Sequence, residues 1–252
     1  MEIGMYNFNE GLVEYFFNQP KTEDMMWTNY AVFIAAVIAT IAISYLLGSI
    51  NSAILISKIF YHDDIRKHGS GNAGLTNTLR TYGKGAALGC LLGDIFKTLI
   101  AIFVAGVLLG FNYYRGISVG QFCYMAGLFA VLGHIFPIYY KFKGGKGVLV
   151  TASMALALSP LAFAILLLVF IGIVALTKYV SLGSVTVAIL YPVVLHSYFS
   201  IAFGSPMLGI ISLCTILLAV IIVWCHRGNL ERISNRTERK FSFHKNKDDE
   251  EK

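Results

Sequence analysis

The residues best suited to chemistry fall in two glycine-rich stretches. The first, Gly69-Ser70-Gly71-Asn72-Ala73-Gly74-Leu75-Thr76-Asn77, sets glycines, hydroxyls and amides side by side, and Arg80 follows at helical reach. Successive backbone amides in a glycine-rich turn make a concave nest for an anion, and a cation beside them makes phosphate the natural guest. Ser70, Gly71, Asn72 and Arg80 are the candidates. A plain linker would repeat Ser and Gly, whereas these side chains vary. The second stretch, Lys141-Phe142-Lys143-Gly144-Gly145-Lys146-Gly147, alternates cations with glycines where a helix should begin. A helix N-terminus favours anions and lysines add point charges, so Lys141, Gly144, Gly145, Lys146 and Gly147 are candidate phosphate ligands. A basic anchor with turn glycines has the same composition. A nucleotide P-loop is excluded: Gly147 stands where Ser or Thr would hold magnesium, and no strand precedes it.

Other polar residues stand in or beside apolar segments. His134 lies near the end of a span, just before Pro137 disturbs the helix. An ionisable group at that depth is a functional candidate, and a hydrogen-bonded structural histidine fits equally. Asp94 and Lys97, about one helical turn apart, can neutralise each other on one face and read as structural. After the last apolar run, His226 and Asn229 share a helical face with Leu230 and Ile233, while Arg227, Glu231 and Ser234 share another. That pattern also suits a juxtamembrane amphipathic helix.

These groups need apolar elements to hold them. Uncharged runs of about 20 residues can cross a bilayer. The first runs from about Tyr30 to Leu47 and continues through Gly48 and Ser49 to near Phe60. A polar loop, Tyr61 to Gly83, follows. Further spans are expected at Ala86 to Leu109 and Val119 to Ile138, and the basic loop runs from Tyr139 to Gly147. Val148 to Leu158 and Leu161 to Leu176 read as a hairpin turning at Ser159 and Pro160. Leu182 to Phe199 and Met207 to Trp224 complete about seven crossings of an all-α polytopic bundle, treated as one domain over 1–252. The bias of Lys and Arg toward cytoplasmic loops orients it. With residues 1–28 outside and the charged tail 226–252 inside, Arg66, Lys67, Arg80, Lys84, Lys141, Lys143, Lys146, Lys178 and the tail are cytoplasmic, leaving Lys21 and Arg115 outside.

Composition agrees. The 252 residues are 56% hydrophobic and 13% charged, with mean hydropathy +0.67, too apolar for an ordinary soluble domain. The net charge of +6 is split among short loops, whereas a nucleic-acid footprint should be continuous. Cys90, Cys123, Cys214 and Cys225 stand singly without metal-ligand spacing and read as buried reduced thiols. Glu2, Glu10, Glu14, Phe16 and Phe17 do not make the basic start of a cleaved signal peptide.

In this order the motifs resemble the acyl-phosphate:glycerol-3-phosphate acyltransferase family of bacterial inner membranes. The matching strings are Gly48-Ser49-Ile50, Asp64-Ile65-Arg66, Gly69-Ser70-Gly71-Asn72, Thr76-Asn77 with Arg80, Asp94 with Lys97, and Gly133-His134 with Phe136-Pro137. The lysine-glycine loop, Tyr179-Val180-Ser181-Leu182, and His226-Arg227 with Asn229, Arg232, Thr237 and Glu238 complete the set. The resemblance implies acyl transfer from acyl phosphate to the 1-position of glycerol 3-phosphate, giving lysophosphatidic acid and phosphate. It implies that Ser70, Arg80, His226 and Asn229 are needed for activity. Gly144, Gly145, Lys146 and Gly147 would bear on glycerol 3-phosphate binding, Ser181 would join the phosphate ligands, and Glu238 would be structural, with His134, Asp94 and Lys97 in support. The chain departs from the family at Asn51, where proline is usual, at Leu75 and Leu149, where small residues are usual, and at Arg236, in place of a tail glycine.

Acyl phosphate is already activated, so positioning two phosphorylated substrates could suffice, with donors at the developing oxyanion. Direct attack by the glycerol hydroxyl is the expected route. Arg80, Lys146 and loop amides would clamp phosphates, Ser70 or Asn72 would assist the carbonyl, and the proton would leave to a substrate phosphate or to His226. The spacing demands no metal, nucleotide or coenzyme. The expected partners are the two substrates and the bilayer. An anion transporter is the rival from another class, and the departures keep an inactive relative as an alternative.

Overall fold

A chain this apolar must close its backbone hydrogen bonds within itself, and helices do so segment by segment. The computed structural model describes residues 23–110, 113–114, 117–118, 120–203 and 209–240. Within them the protein is all helical, apart from a two-residue antiparallel ladder of Tyr113–Tyr114 (β1) with Ile117–Ser118 (β2). The helices are α1 (Glu23–Ser49), α2 (Ser52–Tyr61), α3 (Leu75–Tyr82), α4 (Lys84–Leu109) and α5 (Gly120–Ile135), then α6 (Val148–Leu158), α7 (Pro160–Thr177), α8 (Val180–Phe203), α9 (Gly209–Cys225) and α10 (Arg227–Ser234). Short 3-10 turns cover Ile65–Lys67 and Ile138–Tyr140. The expected N-terminal segment through residue 22, Arg115 and the tail beyond residue 240 lie outside the described residues.

Five helical stretches are long and apolar enough to cross a bilayer, or six if α9 and α10, bent by 53°, count as one. The remaining expected crossing, the fourth in chain order, is α6. Its 11 residues extend about 16 Å at 1.5 Å per residue, roughly half the hydrocarbon thickness. The hairpin is present but has unequal arms: Ser159 ends α6, and Pro160 starts α7, where its missing N–H costs nothing. The first apolar run is also divided. Asn51 caps α2, its Oδ1 accepting from Ile54 N at 3.1 Å, and so breaks the run after Ser49.

Helix α5 is the centre of the bundle and packs on α1, α4, α6 and α9. Its small residues let backbones touch. A Cβ on Gly133 would lie 2.2 Å from Tyr45 O, and one on Gly48 would lie 2.1 Å from Ala130 O. That contact brings the α1–α2 break beside the end of α5, where the polar residues gather. Cys90, Cys123 and Cys214 are buried thiols, and Cys225 is half-buried.

Candidate active site

The first glycine loop is shaped by side chains that flank it. Asp64 accepts from Arg66 N at 3.1 Å and pairs with the Arg66 guanidinium, Nη2 to Oδ2 at 2.6 Å. Hydrogen bonding from Arg66 holds the Asp64 carboxyl below the usual carboxylate range against partial burial. Arg66 Nη1 also donates to Tyr140 O and Lys143 O, both at 3.0 Å, and so ties the first loop to the second. Inside the loop, Asn77 accepts from Ser70 N at 3.0 Å and donates to Ile65 O at 3.3 Å and His68 O at 3.0 Å. Asn51 Nδ2 donates to Ala73 O at 3.3 Å, a bond that proline at this position could not make.

The second loop folds back on α5. Gly144 N donates to Ile135 O and Gly145 N to His134 O, both at 3.1 Å. A Cβ on Gly144 would meet His134 O at 2.0 Å, and one on Gly145 would meet His134 Nε2 at 2.2 Å and Ala73 O at 2.6 Å. These two glycines are therefore required by close packing. Lys146 leaves the loop toward the tail and bonds Asn229 Oδ1.

The tail supplies the third side. Glu238 Oε1 accepts from Asn229 Nδ2 at 2.6 Å and Ser181 Oγ at 2.5 Å, while Oε2 accepts from Arg232 Nε at 2.8 Å. Burial would raise the Glu238 carboxyl, but these donors outweigh it and hold it low. With its amide hydrogens drawn to Glu238, Asn229 turns its oxygen to Lys146. Burial lowers the Lys146 ammonium, Glu238 opposing. His226 Nδ1 lies 2.7 Å from Ile222 O, which can only accept, so Nδ1 carries the hydrogen and Nε2 keeps its lone pair. Burial, then the charge of Lys146, push this imidazole down to about 4 and keep it neutral near pH 7. Arg236 has φ 58, a left-handed position where glycine is cheaper than arginine.

Beneath the loops, Lys97 Nζ reaches three acceptors: Asp94 Oδ1 at 2.8 Å, Ile50 O at 3.0 Å and His134 Nδ1 at 2.9 Å. Ser52 Oγ donates to Asp94 Oδ1 at 2.9 Å. Removing one member of a buried ion pair typically costs about 3–5 kcal/mol, so this pair locks α4 to the α1–α2 break.

All three sides face one cavity of about 750 Å³. Its polar end carries Ser70, Asn72, Arg80, Lys146, His226 and Asn229. Among the described residues Arg80 has no hydrogen-bond or ion-pair partner. The other end is apolar, walled by Ile95 of α4, Leu149 and Leu156 of α6, Phe163 and Phe170 of α7, and Tyr191 of α8. The short α6 forms its back, and Leu156 and Leu167 at its edge are exposed. A smaller cavity of about 500 Å³ adjoins it and shares Ser70, Lys146, Asn229 and Arg232.

Ser70, Asn72, Arg80, Lys146, Gly147, Ser181, His226 and Asn229 thus meet at one cavity, with Asp94, His134 and Glu238 in its wall. Gly144, Gly145 and Lys97 lie behind the lining, whereas Gly71 is exposed outside it and its amide donates to His68 O at 2.9 Å, so it is not the phosphate ligand expected from the sequence. Lys141 stands exposed on the outer turn, away from the cavity. Ser181 gives its hydroxyl hydrogen to Glu238. The loop cross-link through Arg66 and the Asn77 bonds are additions of the structure; a carboxylate two residues before an arginine was the available signal for the first. Leu75 and Leu149, both departures from small residues, line the cavity and narrow it. No cluster of metal-ligating residues occurs among the described residues.

The sequence model for glycerol-3-phosphate acyltransferase matches residues 38–236. A glycerol-3-phosphate acyltransferase of Syntrophomonas wolfei is 42% identical over 204 residues, 81% of this chain and 96% of the relative. Among solved structures, the glycerol 3-phosphate form of PlsY, an integral membrane glycerol 3-phosphate acyltransferase, superposes with TM-score 0.70 at 31% identity, covering 82% of this chain and 96% of that one. Its lysophosphatidic acid form gives TM-score 0.67 at 30% identity, covering 82% and 95%.

Proposed function

This chain belongs to the glycerol-3-phosphate acyltransferase family, and from that premise we propose that it transfers a fatty acyl group from acyl phosphate to the 1-position of sn-glycerol 3-phosphate. The products are lysophosphatidic acid and inorganic phosphate. The observation that carries the reading is the pairing, in one cavity, of an unpartnered guanidinium (Arg80) and a tethered ammonium (Lys146) with an apolar channel continuing below them.

In this reading Arg80, Lys146 and the backbone amides of Asn72 and Gly147 grip the two phosphates, and the channel takes the acyl chain. Holding both substrates offsets the orientation cost that limits the uncatalysed encounter. The glycerol oxygen attacks the acyl carbon, the carbon–oxygen bond to phosphate breaks, and phosphate departs with its electron pair. Ser70 and Asn72 donate to the oxyanion that develops. His226 Nε2 accepts the hydroxyl proton, its lone pair being supported by the Nδ1 bond to Ile222 O. Glu238 and Ser181 hold Asn229, and through it Lys146. The whole chain acts as one membrane domain. The site faces the cytoplasm of a bacterial inner membrane, a topology supported by the gathering of Arg66, Lys146 and Arg232 at the end of the bundle that carries the cavity.

The test is the purified chain in liposomes, supplied with acyl phosphate and labelled glycerol 3-phosphate. Label should pass into a lipid-extractable product acylated at the 1-position. Phosphate flux without product would favour a transporter, and transfer from an acyl thioester alone would remove the donor assignment.

A further inference from the structure

Asp94, Lys97 and His134 are all but sealed from solvent, at 1%, 5% and 3% exposure. An ammonium has three hydrogens and no lone pair. Those of Lys97 are matched by Asp94 Oδ1, Ile50 O and His134 Nδ1. The charges of Asp94 and Lys97 balance, so His134 is neutral, and its Nδ1, as the acceptor, holds the lone pair. The proton of the ring therefore sits on Nε2.

Nε2 lies where the two glycine loops touch. The Cβ direction of Gly145 runs to within 2.2 Å of Nε2 and 2.6 Å of Ala73 O. His134 is part of the cavity wall, and among the described residues Nε2 has no hydrogen-bond acceptor. An N–H on the cavity wall with no protein acceptor, at the seam of the two glycine loops, is placed to meet an oxygen of whatever the cavity holds. We propose that His134 is a substrate-contacting residue: Lys97 fixes its tautomer, and its Nε2–H donates to a phosphate or carbonyl oxygen of the bound phosphorylated substrate. The inference rests on the acyl-transfer reading. It makes the two histidines of the site opposites, His134 presenting a hydrogen and His226 a lone pair.

Two near-isosteric replacements separate this role from a structural one. His134→Asn keeps an oxygen where Nδ1 accepts from Lys97 and loses the Nε2 donor. His134→Gln places an N–H near Nε2 and loses the Lys97 contact. If His134 contacts substrate, the Asn variant loses about 10²-fold or more in turnover, the scale of an oxyanion-type donor, and the Gln variant retains most of it. A loss in kcat marks the oxyanion, and a rise in one KM marks the phosphate of that substrate. An Asn variant as active as the Gln variant, or more so, overturns the proposal. A second measurement needs no folded variant beyond wild type. In 15N-histidine-labelled protein, the His134 Nε2–H resonance should move on adding glycerol 3-phosphate or a non-transferring acyl phosphonate, and the ligand that moves it identifies the source of the oxygen. No movement with either overturns the proposal. Absence of acyl transfer by wild type with movement present would instead sink the reaction and keep the contact.

Discussion

Lys146 and Asn229 lie 83 residues apart in the chain and meet side chain to side chain at the polar end of the cavity. The bond exists because Glu238 draws the amide hydrogens of Asn229 to itself at 2.6 Å, leaving the oxygen for the ammonium. The tail thereby aims a cation that the glycine loop alone would leave to its own rotamers, and that aim links the fold to the proposed chemistry.

Arg80 lines the cavity and has no hydrogen-bond or ion-pair partner among the described residues, so its removal should affect substrate and little else. Arg80→Ala is expected to lower kcat/KM by about 10²-fold or more, with the thermal midpoint in detergent unchanged. Arg80→Lys should restore little, since an ammonium cannot reproduce the planar fork. Steady-state kinetics beside a melting curve checks both.

Close packing, and not loop flexibility, demands glycine at 145. Gly145→Ala drives a methyl into His134 Nε2 and Ala73 O and should abolish activity or lower the melting temperature. Gly85→Ala, in the first turn of α4 with nothing within 4 Å, should be neutral or stabilise by up to about 1 kcal/mol. Equal effects at the two positions would contradict the packing argument.

Burial lowers the Lys146 ammonium from its ordinary 10.5, so its charge is lost at a lower pH than that of a free lysine. The alkaline limb of kcat/KM for glycerol 3-phosphate should fall below 10.5, and Lys146→Arg should move it upward. The sign for stability is opposite. Between the folded and unfolded values the unfolded chain binds more protons, so this group favours folding increasingly as pH rises. Activity falling while the melting temperature holds would separate the site effect from unfolding.

The apolar end of the cavity should read acyl length. Each methylene buried is worth about 0.8 kcal/mol, or about fourfold in kcat/KM, until the channel ends. A series of acyl phosphates should climb at that slope and then level. Tyr191, 2% exposed and part of the apolar lining, is expected to set the plateau, and Tyr191→Leu should move it to longer chains. A plateau that stays put would place the floor elsewhere.

Much of this was legible in the chain because its signals are local. The Gly69–Gly74 loop, the lysine-glycine loop and the apolar runs each announce themselves within a few residues. What the sequence hid depends on tertiary partners. Nothing near Arg66 says that its second target is the carbonyl of Lys143, and nothing near Ser181 says that its hydroxyl serves Glu238. Gly144 and Gly145 read as phosphate ligands, yet their small size answers to α5 behind them. Lys141 carried the same composition signal as Lys146, but its left-handed backbone, φ 57, turns it out of the site. The shortness of α6 was visible as an apolar run, and its use as the back wall of a channel was not.

The most direct measurement is a double-mutant cycle on purified protein, comparing acyl transfer by wild type, Lys146→Ala, Asn229→Ala and the double variant. If the loop and the tail form one site through this contact, the double variant should lose no more than the worse single variant, because residues acting as a unit are strongly non-additive. Losses that multiply would mean that Lys146 and Asn229 act independently and would contradict the account.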